Sequence, residues 1–144
     1  MIFQRINRSS PEKAFTVVQN RSGATITANY PVVLDTTTFD GVGVTKPATA
    51  TLSLFVGIAN ADITSSGYGL VQCYGYRASA QVTNGTAGGT DIAAGDILVP
   101  VNAQYYLARS AASDGKTGFV VAGAAFVTAT TPAAANKAVF IRAL

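Results

Sequence analysis

Gly67-Tyr68-Gly69-Leu70-Val71-Gln72-Cys73-Tyr74-Gly75-Tyr76-Arg77-Ala78-Ser79-Ala80-Gln81-Val82 is the stretch whose reading decides the fold. Its aromatic, β-branched and small residues favour a pleated strand and disfavour a helix. With a period of two, Leu70, Gln72, Tyr74 and Tyr76 share one face, and Val71, Cys73 and Gly75 share the other. This predicts a long strand over Leu70–Val82. A second strand, Leu52–Ile58 with an extension to Ile63 left open, faces it across the turn Thr64-Ser65-Ser66-Gly67.

Strand signals continue in both directions. Upstream lie Phe15–Val18, the alternating Ala24-Thr25-Ile26-Thr27-Ala28, Val32–Leu34 after Pro31, and Val42–Val44 after the Asp40-Gly41 turn. Downstream, Asn84-Gly85 opens a Gly/Thr loop, and Ile97–Val101 contains Pro100, which assigns it to an edge or a strand end. Tyr105–Ala111 and Phe119–Val127 flank Ser113–Gly118 as a predicted hairpin, its second strand apolar on both faces and therefore central. Ala138–Leu144 closes the chain. No helical periodicity and no internal repeat are legible. The expectation is all-β: a single compact β-barrel or β-sandwich of many short antiparallel strands over 13–144, with 1–12 as an N-terminal arm.

Composition narrows the function. The 144 residues contain no histidine, only 12% are charged, and 49% are hydrophobic. Soluble chains ordinarily carry about a quarter charged residues, and histidine is the commonest general base and metal ligand. The surface must instead be Thr, Ser, Asn, Gly and Ala, which is easily buried against a partner. Ten basic residues against seven acidic give a net charge of +3, but they are scattered apart from Arg5, Arg8, Lys13 and Arg21. That is no dense basic patch, so no nucleic-acid partner is expected.

Chemical motifs fail on inspection. Cys73 is the sole cysteine, which excludes an internal disulfide, and its apolar neighbours predict a small buried thiol. Ser110–Thr117 ends like a phosphate-binding loop but starts with Ser110 in place of glycine and leads into no helix pattern. Gly67-Tyr68-Gly69 has Gln72 where a dinucleotide fingerprint needs its third glycine, and it precedes a strand. Asp91 and Asp96 could share a loop cation, but the Gly88-Gly89-Thr90-Asp91 turn occurs once. No serine has a histidine partner, and nothing selects a carboxylate pair. No catalytic residue, cofactor or metal is expected. The tyrosine clusters Tyr68/Tyr74/Tyr76 and Tyr105/Tyr106 point to core packing or subunit contact before sugar stacking, since no tryptophan accompanies them.

The first ten residues hold two arginines and no apolar h-region, so no signal peptide is predicted. Residues 117–136 are uncharged but contain two glycines, four threonines and Pro132, and read as a buried strand and loop, with no membrane partner.

Three segments carry a family resemblance. Val56-Gly57-Ile58-Ala59 followed by Gly67–Gly75, then Thr90-Asp91-Ile92-Ala93-Ala94-Gly95-Asp96-Ile97-Leu98, then Gly123-Ala124-Ala125 with Val139–Leu144, together resemble the decoration, or cement, proteins on the heads of tailed bacteriophages. The resemblance covers about residues 50–144, and its pieces recur in small β-barrels. It implies a non-enzymatic virion protein, made in the host cytoplasm and bound to the outer capsid surface, with the major capsid protein and its own copies, as a homotrimer, for partners. The family offers no catalytic residues to carry over. Within the arm, the apolar anchors Phe3 and Ile6 and the flanking Arg5 and Arg8 are the candidate capsid-binding residues; a first strand inside the barrel is the other reading of this segment. A tail-tube, tail-tip or fibre domain, or a carbohydrate- or receptor-binding module, are the alternatives.

Overall fold

The runs of Val, Thr, Tyr and Ala become strands because their side chains pack on a pleated surface and lose too much rotamer freedom in a helix. The computed structural model describes residues 12–84, 91–110, 118–127 and 133–143. Its elements in chain order are β1 (Lys13–Asn20), β2 (Pro31–Leu34), β3 (Gly43–Thr45), a 3-10 helix (Thr49–Leu54), β4 (Phe55–Ala59), β5 (Tyr68–Thr83), β6 (Ile97–Pro100), β7 (Leu107–Arg109), β8 (Val120–Ala122) and β9 (Ala134–Arg142). The chain is all-β, and the strands join one mixed sheet.

That sheet closes on itself twice. The neighbours run β1-β3-β2-β4-β5, and β1 also pairs with β5; they continue β5-β7-β6-β8-β9, and β9 returns to β5. The 16-residue β5 is therefore shared by two five-stranded rings. Its first half pairs β1 from Tyr68 to Gly75, and its later residues pair β9 from Tyr74 to Thr83. Closure removes the unpaired strand edges on which another chain could add a strand.

The two rings are a structural duplication. In each, the first strand runs parallel to the third (β1 with β3, β5 with β7), and every other pairing is antiparallel. Hydrogen bonds repeat with the topology. Asn29 N–H donates to Ala59 O at 2.9 Å and Gly95 N–H to Ala122 O at 2.8 Å, while Asp35 donates to Gly43 O at 2.9 Å and Val101 to Tyr106 O at 3.0 Å. The lone bridge Ile26–Ile63 has its counterpart in Ile92–Phe126. The ring-one core of Val18, Ile26, Val32, Val44, Ala59, Ile63 and Val71 corresponds, position by position, to Ala80, Ile92, Leu98, Leu107, Ala122, Phe126 and Val139 of ring two. A buried isoleucine followed three residues later by a left-handed residue opens β2, β5 and β6 alike: Ile26 with Asn29 (φ 73°), Ile63 with Ser66 (φ 62°), Ile92 with Gly95 (φ 93°).

Several expected elements are corrected. Two of the pairings, β1 with β3 and β5 with β7, are parallel where antiparallel strands were expected, while the long strand predicted over Leu70–Val82 is present as β5. Ala24–Ala28 is not a strand; only Ile26 bridges. The Asn20 side-chain amide takes Ala24 O at 2.7 Å and Asp62 Oδ1 takes Ala28 N–H at 2.8 Å, so side chains hold the backbone groups a ladder would need. Leu52–Leu54 belong to the 3-10 helix, where the Thr51 hydroxyl closes the chain on Ala48. The predicted 105–111/119–127 hairpin does not form, because β6 lies between β7 and β8. For the same reason β6 is flanked on both sides, and Pro100 is accommodated as its last residue. The segment 117–136 contains β8 and the start of β9.

Candidate functional site

Cys73 and Asp96, two of the chemistry-bearing candidates, are engaged structurally. Cys73 is buried, its Sγ lies 3.4 Å from Ala14 O, and burial pushes its thiol above the ordinary value. Asp96 accepts Ala93 N–H at 2.8 Å and pairs with Arg109 Nε at 3.1 Å, which neutralises it as a cation ligand. Among the described residues no three His, Cys, Asp or Glu side chains converge.

The tyrosine clusters divide between two tasks. Tyr105 stacks on Tyr30 at 4.6 Å and joins ring two to ring one. Tyr74 meets Phe140 edge-on at 5.5 Å, while Tyr76, cross-strand partner of Phe140, stands exposed.

Polar contacts lock the ring junction as well. Arg77 is buried, with no carboxylate paired to it among the described residues, and burial lowers its pKa. Its guanidinium donates to Ser79 O (2.7 Å), Asn29 Oδ1 (2.7 Å), Ala59 O (2.8 Å), Gln72 Oε1 (3.3 Å) and Asn60 Oδ1 (3.4 Å). Neutral oxygens on three separate segments thus converge on one planar cation, a task for which the guanidinium fork is suited.

The loop from Asp35 to Gly43 is held by a second arginine. Arg21 reaches Asp40 at 2.6 Å and Thr38 O at 2.9 Å. Asp40 Oδ1 also accepts the N–H groups of Gly43 at 2.9 Å and Val42 at 3.0 Å, and Asp35 Oδ1 accepts that of Thr37 at 3.0 Å. The tethered loop presents Phe39 and Val42 to solvent. The backbone donors of Gly43 and Val42, then Arg21, hold the Asp40 carboxyl at about 2, against an ordinary 3.8. A depressed pKa means that this contribution to stability is complete above the ordinary value and is lost as the pH falls toward 2. NMR titration of the Asp40 carboxyl should give a midpoint near the lower value; a midpoint at the ordinary one would show that the loop is not tethered in this way.

An exposed apolar row crosses ring two. Ile97 pairs with Val121, Val121 with Phe140, and Phe140 with Tyr76, so four adjacent strands contribute to one line. Ile97 is 43% exposed, Tyr76 41% and Phe140 37%, with Val121 half-buried. A soluble monomer rarely leaves such a line uncovered. Ring one adds Phe15 and Val17, the latter paired with exposed Leu70. Sequence reasoning named Tyr76 but missed Ile97, Val121 and Phe140, because only the β6-β8-β9 order aligns them. The sequence-derived candidates Phe3, Arg5, Ile6 and Arg8 lie outside the described residues.

Fold and surface define an all-β class of protein with exposed apolar rows on its strands. No protein-family model matches the sequence, and no curated protein matches it.

Proposed function

We propose that this protein is a structural component of a virion, a non-enzymatic decoration protein that binds the outer surface of an assembled phage head and joins neighbouring capsomers. The observation that carries this reading is the exposed apolar row Ile97–Val121–Phe140–Tyr76 on a lightly charged body whose strands close into rings. Such a body associates through side-chain faces and not by adding strands. The resemblance over residues 50–144 points the same way.

The physical task needs no cofactor. Packed DNA strains a capsid lattice, and a ligand that binds only the expanded lattice stabilises it by mass action, by about 2.7 kcal/mol at a hundredfold excess over Kd. Weak contacts repeated on one oligomer gain avidity on the order of a hundred- to ten-thousand-fold. The arm supplies the contact to the major capsid protein, with Phe3 and Ile6 as apolar anchors and Arg5 and Arg8 facing capsid carboxylates. Deleting residues 1–10 is expected to leave the circular dichroism and solution mass unchanged and to abolish co-sedimentation with shells that lack the protein. Undiminished co-sedimentation would move the contact elsewhere, and loss of fold would assign the segment to the ring.

A further inference from the structure

The duplication carries more than the architecture, because the two rings pack on each other in a head-to-tail manner. Ring one offers a socket. On β2, β4 and β5 the cross-strand row Pro31–Ile58–Gln72 occupies the positions that Ile97–Val121–Phe140 occupy in ring two. Ring two covers that socket: Ile58 lies within its apolar cluster, Gln72 accepts a hydrogen bond from Arg77, and Tyr105 stacks on Tyr30 beside Pro31. Ile58 is consequently 0% exposed and Gln72 1%. In ring two the equivalent row, as placed among the described residues, stays partly exposed, with Ile97 at 43% and Phe140 at 37%, and its side chains are Ile, Val and Phe.

Ring one likewise carries the counterpart of the covering surface. Asp35 N–H bonds to Gly43 O as Val101 N–H bonds to Tyr106 O, which sets Val42 in the place of Tyr105. Val42 is 38% exposed, and Phe39 projects from the same Arg21-tethered loop. Among the described residues, one molecule therefore bears a partly exposed socket at one end and an exposed plug at the other, each the counterpart of a surface already joined inside the chain.

We infer that a second copy of this chain occupies the Ile97–Val121–Phe140 row, inserting its Val42 and Phe39 as Tyr105 is inserted within one molecule. The contact is heterologous, so it must either close into a ring or run on as a filament. Closed over three copies it arranges six near-equivalent rings about one axis, which gives the self-association in the proposed function a specific geometry. It needs no capsid, so the two readings fail separately: a protein that assembles in this way yet ignores shells overturns the function and not the interface.

The test uses the full chain and two variants at exposed positions, Ile97→Asp in the socket and Val42→Asp in the plug. Light scattering after size exclusion should give wild type a mass near three times 14.7 kDa. Each variant alone should be monomeric, its association weakened at least about 100-fold by a charge set in an apolar contact. Mixed in equal amounts, the variants should form one-to-one dimers, since each retains the half the other lacks. A monomeric wild type, variants that assemble normally, or a mixture that stays monomeric would each overturn the inference; the last result would point to a symmetric, isologous contact. Circular dichroism of each variant checks the fold. Phe140→Glu with Phe39→Glu forms a second pair, for which the same rescue is expected.

Discussion

Arg77→Met is expected to lower the free energy of unfolding by about 3–5 kcal/mol, from several buried acceptors stranded at roughly 1–3 kcal/mol each. The residue is 8% exposed, and its side chain links β5 to Asn29 at the start of β2, to the end of β4 and to Ser79. Methionine fills similar volume but leaves Asn29 Oδ1, Gln72 Oε1 and Ser79 O without this donor. Removing the cation also removes its desolvation cost, which keeps the loss from reaching the full sum. Lysine should recover little, because one ammonium cannot meet acceptors spread around a planar fork. Thermal melts should show a fall of roughly 10 °C for Arg77→Met. A change within error would mean that Tyr30–Tyr105 stacking and the shared strand hold the rings together without the network.

Gly57→Ala is the second large effect, expected at about 2–5 kcal/mol. Gly57 has φ +154°, and a Cβ there would strike Gln72 O, with Val71 Cγ1 at 2.7 Å and the Gln72 carbonyl carbon at 2.9 Å. These atoms belong to the adjoining strand, so relief requires β4 and β5 to part. The register shift between Val32 and Val33, opposite Gly57, marks the same irregularity from the other side. In ring two the corresponding position is Val120, fully buried in the core. Val120→Gly should therefore destabilise by leaving a cavity, while Gly57→Ala destabilises by overpacking. Urea melts of both variants check this; a neutral Gly57→Ala would show that the β4–β5 approach relaxes freely.

Each described strand overlaps a run legible in the sequence, β1, β2 and β5 most plainly through long alternation or apolar runs, whereas the strand bounds and the pairings were not legible. Misreadings arose where a side chain replaced a ladder partner, as Asp62 does for Ala28, or where topology overruled sequence adjacency, as β6 does between β7 and β8. The duplication was hidden because equivalent core positions keep apolar character but not identity, Val18 against Ala80 and Ile63 against Phe126, and because loops of unequal length shift the spacing. Arg77 resembled an ordinary surface charge within a strand, and nothing local announces that three segments will supply its acceptors. The exposed row is a property of strand order alone. By contrast, the low charge and missing histidine directed the reading toward contact surfaces from the outset.

The central claim, that the protein stabilises an assembled shell from outside, is tested most directly by adding purified full-length chain to phage heads lacking it. The heads are supplied in both compact and expanded forms, and co-sedimentation and heat-induced rupture are followed together. Saturable binding to the expanded heads alone, with rupture moved to higher temperature as free protein increases, is the predicted result. No binding to either form at concentrations where the protein self-associates, or equal binding to both with no change in rupture, would contradict the account.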